Sequence, residues 1–311
     1  MDTIKALVEL LRCDCPELIH LLGGVHYCRH GDKVLLVPNY AKGYKQSVTR
    51  LYTNLAKMEH AAAPILSAAP VGGIGARLGL GDLCKLTSGL HDIGITVDDW
   101  NPRNILVGER GSLMLLDTDS YAFTLSDVSY QTTCAAPGYI APEVLKLMET
   151  TGVSDFESLA STNAPVFTPQ TDDFGLAVHI FKMLNRGIHP YASGELDLEI
   201  FELDDDDIPP APSLNSCVCN GRSPFVGTLV GYVVPEYALE LDDFGGLMGE
   251  AFRRSLYGRA EERLDARTWA RLLDCYLSET AVCPRGGHLY YASQHECPYC
   301  RGERALLSRL G

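Results

Sequence analysis

Three polar residues near the middle of this 311-residue chain have the types and spacing of a phosphate-handling metal site. Asp99 is followed five residues on by Asn104, and Asp117 stands 13 residues beyond that. Phosphoryl transfer needs a carboxylate that accepts or orients a hydroxyl proton. It also needs an amide and a second carboxylate that hold Mg²⁺ against the phosphates. Two strand-like apolar runs, Ile105 to Val107 and Leu113 to Leu116, lie between Asn104 and Asp117, joined by the turn Glu109-Arg110-Gly111. A hairpin there would fold the chain back and bring the two metal-binding groups together.

A second constellation closes the chain. Cys283, His288, Cys297 and Cys300 form the pattern C-x4-H-x8-C-x2-C, three thiolates and one imidazole. The C-x-x-C turn puts two sulfurs on one side, and Cys283 with His288 would complete a tetrahedron around Zn²⁺. Four protein ligands leave no open position, so the expected role is structural. His295 is an alternative ligand with poorer spacing. Tyr290, Tyr291 and Tyr299 are expected around the metal, in a segment with too little apolar content to fold without a staple. Cys13, Cys15, His26, Cys28 and His30 form a looser group, read as core thiols and packing rather than ligands.

The elements that must position these residues follow from periodicity and breakers. Two short helices, Thr3 to Arg12 and Pro16 to Leu22, end at Gly23-Gly24, and a hairpin follows over Val25 to Tyr40 with its turn at Gly31-Asp32. Ser47 to Ala62 reads as a helix, with Leu51, Leu55 and Met58 on one face. The Ala/Pro/Gly-rich run 61–75 is a connector, and Leu78 to Ile93 is a helix. Residues 139–186 are mostly helical with an interruption at 154–170, and Asp173 to Leu184 is apolar nearly all round, hence buried. Residues 193–223 carry Asp204 to Asp207 and then Pro209, Pro210 and Pro212, the composition of a solvated loop or disordered insertion, to which Cys217-Val218-Cys219 is also assigned. Helices near 243–256 and 266–278 precede the cysteine-rich tail.

Six segments in this order resemble the protein-kinase-like superfamily. Val97-Asp98-Asp99-Trp100-Asn101-Pro102-Arg103-Asn104 resembles the H-R-D-L-K-P-x-N catalytic loop, and Asp117-Thr118-Asp119 stands where D-F-G is expected. Gly138-Tyr139-Ile140-Ala141-Pro142-Glu143 resembles the end of the activation segment. Asp172-Asp173-Phe174-Gly175-Leu176-Ala177 resembles the start of the buried central helix of the C-lobe, and His189-Pro190-Tyr191 the P-F after it. Arg263-Leu264-Asp265-Ala266, with Trp269, resembles the R-P-x-A-x-x-W of the last helices. The resemblance implies that Asp99 is the base, that Asn104 and Asp117 hold Mg²⁺ with ATP, that Asp172 braces the catalytic loop, and that Glu143 pairs with Arg263. Asn101-Pro102 and Asp117-Thr118-Asp119-Ser120-Tyr121 resemble a bacterial branch with a zinc-binding tail. Some members of that branch accompany phosphatase and von Willebrand A partners, so a protein partner is implied. His91, in the L-H-x-x-G before the loop, is read as packing.

The N-terminal side departs from the superfamily pattern. Aliphatics occupy the expected lysine position of the strand Lys33 to Val37, and Thr53 or Asn54 stands at the helix glutamate position, with Lys42 or Lys45 the remaining candidates to pair with Glu59. Gly72-Gly73-Ile74-Gly75 precedes a helix too close to Asp99 to cover phosphates. Asn101 replaces the loop lysine and Asp98 its arginine, which removes the usual partner for activation by phosphate. Two readings stay open: an interaction module built on a degenerate kinase-like fold, and a divergent Ser/Thr-type kinase whose ATP site is completed by other residues or by a partner.

Composition narrows the rest. Apolar residues make up 46% and charged residues 21%, and 40 Asp+Glu against 26 Lys+Arg give a net charge of −14. Such a surface disfavours nucleic-acid binding. The longest uncharged stretch, Ala61 to Ala76, is too short and too broken for a membrane span. Asp2 and Glu9 at the start leave no basic region of a signal peptide, so the expected compartment is the cytoplasm and the eleven cysteines are expected as thiols or ligands. The expected fold is α+β and protein-kinase-like, with a reduced N-lobe over 1–70, a helical C-lobe over 71–278 and a zinc knuckle over 279–311.

Overall fold

A computed structural model describes residues 25–30, 33–38, 44–47, 79–108, 113–117, 120–125, 128–160, 166–194, 211–235 and 238–310, the first three of these segments as backbone. The hairpin expected over Val25 to Tyr40 forms as β1 (Val25–His30) and β2 (Lys33–Pro38), antiparallel, with Val25 opposite Pro38 and His30 opposite Lys33. Next comes β3 (Tyr44–Ser47). Ser47, expected to open a helix, closes this strand instead. The rest of that helix, the two N-terminal helices, the 61–75 connector, Lys42, the Glu109-Arg110-Gly111 turn and the Asp204 to Asp207 run lie outside the described residues.

Helix α1 (Leu80–Asp92) buries Leu80, Leu83, Cys84, Leu86 and Leu90, the i, i+3, i+4 stripe that its sequence presents. A 3₁₀ turn over Pro102–Asn104 leads into β4 (Ile105–Gly108), which pairs with β5 (Leu113–Leu115) in the register Ile105↔Leu115, Leu106↔Met114, Val107↔Leu113. The other edge of β4 pairs with β3, giving a three-stranded antiparallel sheet in the order β3-β4-β5. A small hairpin, β6 (Phe123–Leu125) with β7 (Val128–Tyr130), stacks Phe123 on Tyr130 at 4.7 Å.

Helices α2 (Pro142–Thr151) and α3 (Phe156–Ala160) precede α4 (Pro169–Leu184), the axis of the molecule. Thr168 and Thr171 form a capping box at its start and Pro169 fills the first turn. From Phe174 to Leu184 nearly every side chain is buried, as its uniform apolarity predicts. Phe181 alone meets Phe225, Phe244 and Phe252 with ring centroids 5.1–5.9 Å apart.

Part of the stretch read as a solvated insertion is structured. Helix α5 (Leu214–Cys219) is capped by Ser213, packs on α2 and buries Cys217 and Val218. A six-residue helix after a proline run is too short for periodicity to reveal. The helix expected near 243–256 resolves into a 3₁₀ turn (Leu241–Phe244), α6 (Gly246–Phe252) and a π-helical turn (Arg253–Tyr257). Helix α7 (Ala266–Ser278), capped by Asp265, packs along α1. The tail adds the hairpin β8 (Thr280–Val282) and β9 (Leu289–Tyr291), then α8 (Pro298–Leu310). The described residues are thus mixed helix and small sheets, α+β. None of their helices is long and apolar enough to cross a membrane.

Candidate functional site

Asp172 organises the loop after α1. It lies fully buried in the first turn of α4, and its carboxylate accepts from Val97 N (2.7 Å), Asp98 N (2.8 Å), Trp100 Nε1 (2.8 Å) and His91 Nε2 (3.0 Å). The helix N-terminus adds a favourable dipole. His91, read from sequence as packing, is therefore a direct donor to Asp172. On a half-buried helical face, packing and bonding leave the same sequence pattern.

Trp100 is clamped from the opposite side. His179 of α4 donates from Nε2 to the Trp100 carbonyl at 2.9 Å, and burial pushes its imidazole down to about 3, so it is neutral. Gly175 lies directly under the indole: a Cβ there would meet Trp100 Cδ1 at 2.3 Å. Asp98 takes a left-handed backbone (φ 60°), a conformation that Asp tolerates better than most residues, and Thr96 bridges to Ala122.

These restraints bring Asp99, Asn104 and Asp117 together. Asn101 Oδ1 accepts from Arg103 N (3.0 Å) to start the 3₁₀ turn, and Asn104 at its end donates from Nδ2 to Asp99 Oδ2 (3.1 Å) and Asp117 Oδ2 (3.2 Å). Of the two ends of the Asn104 amide only the nitrogen can donate to carboxylates, so the side-chain oxygen is left to accept from a donor or a cation. Leu116 N donates to the Asn104 carbonyl (2.7 Å), and Asp117, exposed and left-handed (φ 62°), is fixed by Ser120 N and Oγ on its carbonyl. Burial raises the Asp99 carboxyl above its usual range, against the stabilising pull of the Ala136 and Asn101 backbone and the Asn104 amide. Burial and the Asp172 charge raise Asp98 as well.

Glu143 and Arg263 meet in a bidentate pair at 2.6 and 2.7 Å, with Arg263 also donating to the Gln170 carbonyl and lying over the Phe174 ring. Sequence reasoning missed the restraints on Gly138. Its N–H donates to Asn215 Oδ1 (2.7 Å) and its carbonyl accepts from His189 Nε2 (2.9 Å), so α5 pins the end of the 131–141 segment.

In the tail, the ligand atoms of Cys283, His288, Cys297 and Cys300 all lie within 4.8 Å of one another, and all four residues are buried. Cys283 Sγ is 3.5 Å from Cys300 Sγ, and His288 Nδ1 is 3.5 and 3.6 Å from the sulfurs of Cys297 and Cys300. Tetrahedral bonds of ~2.3 Å to sulfur and ~2.0 Å to nitrogen require edges of about 3.5–3.8 Å, so the cluster fits a metal ion. Burial works against charge on Cys283, but the backbone amides of Gly286 and Arg285 and the neighbouring thiols bring it down to about 6, the thiolate a metal needs. Tyr299 lies 5.2 Å from His288, as expected. Tyr291 stacks on Tyr276 of α7 and covers Gly245.

No family model matches the chain. It is 25% identical to Protein kinase YegI of Escherichia coli O157:H7 over 218 residues, and 26% identical to the protein of the same name from strain K12. Each match covers 68% of this chain and 30% of the relative, so the chain spans about a third of these relatives' length. A shorter stretch of 67 residues is 39% identical to CBL-interacting protein kinase 1 of Oryza sativa subsp. japonica, covering 21% of this chain. These likenesses support a kinase-like relationship.

Proposed function

We propose that the chain is a protein-kinase-like phosphotransferase whose Mg²⁺–ATP site is centred on Asp99, Asn104 and Asp117, with 1–70 as a reduced N-lobe and 71–278 as the C-lobe. The observation that carries this reading is the Asn104 amide held between the Asp99 and Asp117 carboxylates. Asn104 Oδ1 and Asp117 would hold Mg²⁺, which when bound neutralises charge on the phosphates of ATP. Asp99 orients an acceptor hydroxyl and takes its proton, and its raised affinity for protons suits it to that task. The tail residues Cys283, His288, Cys297 and Cys300 would hold a structural Zn²⁺. The acidic surface and the lack of a spanning helix among the described residues fit a cytoplasmic protein that acts on or with a protein partner.

A second reading, a binding platform without turnover, draws on the two replaced loop positions. Asn101 is spent on capping its own turn, and the buried Asp98 carboxylate has no well-formed hydrogen bond. Phosphoryl transfer separates the two readings. With γ-labelled ATP and Mg²⁺, the full chain is expected to label itself or a Ser/Thr peptide library. Asp99→Asn should lower that rate by about 10²–10⁴-fold. The wild-type rate should fall as pH drops through the raised Asp99 range, since protonated Asp99 cannot accept. No incorporation, or equal incorporation by the variant, would favour the platform.

A further inference from the structure

The metal cluster does not sit apart from the helical body. His288 turns Nδ1 toward the cysteines and leaves Nε2 facing Glu303 Oε1, 3.4 Å away. The same oxygen accepts from Arg186 Nη2 at 2.9 Å. Arg186 stands just past the end of α4, with a left-handed backbone (φ 53°) and a side chain only 7% exposed. Its Nη2 also donates to the Tyr299 carbonyl (2.9 Å), inside the C-x-x-C turn, and its guanidinium lies 5.3 Å from the Tyr299 ring centroid. Tyr299 in turn donates its hydroxyl to the Leu184 carbonyl at the last turn of α4 (2.9 Å). A buried arginine needs a charge partner, and Glu303 is the carboxylate placed to serve both it and the imidazole.

We propose that Glu303 is the outer partner of His288 in the metal site, and that through Arg186 it couples metal loading to the stability of the helical body around α4. The inference rests on the reading of the tail as a zinc site. Glu303 fixes the tautomer in which Nδ1 is the ligand and Nε2 carries the proton, the arrangement that strengthens an imidazole ligand. A bound metal would hold α8 in the position where Glu303 neutralises Arg186 and both Glu303 and the Tyr299 carbonyl accept from its Nη2. Glu303 is a positioning residue and touches no metal.

Metal binding and melting of the full chain test this. Co²⁺ should give the wild type a thiolate charge-transfer band, and Zn²⁺ should raise the melting temperature of the whole protein. Chelator competition should show Glu303→Ala binding Zn²⁺ about 10–100-fold more weakly, while Glu303→Gln, which keeps an oxygen acceptor, loses less. The zinc-dependent rise in melting temperature should shrink in Arg186→Met and stay unchanged in Arg304→Ala, whose exposed side chain pairs with Glu296. Glu303→Ala binding Zn²⁺ within about twofold of wild type would overturn the proposal while leaving the zinc site standing, since an outer partner is worth more than that. A wild type with no cobalt band and no bound zinc would overturn the zinc reading and this proposal together.

Discussion

Asp172 serves four donors with two oxygens, and every one of them belongs to the segment that carries Asp99 or to the helix before it. Deleting the carboxylate would leave two backbone N–H groups and an indole N–H buried and unpaired. Asp172→Ala is therefore expected to cost about 3–5 kcal/mol of unfolding free energy, read as a lower urea midpoint. Asp172→Asn should cost less, because its one remaining oxygen still accepts. A midpoint unchanged in the alanine variant would contradict the bracing role. Residue type and spacing made the grouping of Asp99, Asn104 and Asp117, and that of the tail Cys/His residues, legible in the sequence, because both readings rest on side chains with particular atoms. His91, His179 and Asn215 were not legible. Each makes an ordinary hydrogen bond across 77 or more residues of sequence, and nothing local announces a bond to a distant partner.

At the scale of elements, the loop and the central helix are fitted by size. Trp100 is bulky and α4 makes room for it with Gly175, whose absent Cβ would fall 2.3–2.9 Å from three indole atoms. Gly175→Ala gains helix propensity in isolation, yet overpacking should outweigh it by about 1–3 kcal/mol. The displaced indole would also lose its bond to Asp172. The expected outcome is a lower melting temperature with altered tryptophan fluorescence, whereas a more stable variant would show that the contact is not tight. Long periodic elements such as α1, α4 and α7 could be read from their patterns. Strand β3, Tyr-Lys-Gln-Ser, could not, since only its pairing with β4 makes it a strand. Helix α5 was hidden for a related reason: six residues after prolines show no period, and burial of Cys217 and Val218 against α2 defines them.

Across the whole molecule, α4 links two distant chemistries. Its first turn holds the loop of Asp99 through Asp172, and its last turn and the residues after it receive the tail with its Cys/His cluster through Leu184 and Arg186. Arg301 Nη2 donates to both Asp243 carboxylate oxygens at 2.7 and 2.6 Å, so the tail is clamped to the helical body at more than one point. The net charge of −14 works against binding a polyanion, so the proposed Mg²⁺–ATP site would have to overcome the overall field locally. Calorimetric titration of the full chain with ATP, with and without Mg²⁺, beside Asp117→Asn, tests that claim most directly. The account predicts Mg²⁺-dependent binding with Kd below about 1 mM, weakened at least about tenfold in the variant, a loss of ~1.4 kcal/mol. No binding at millimolar ATP with Mg²⁺, or equal binding by the variant, would contradict it.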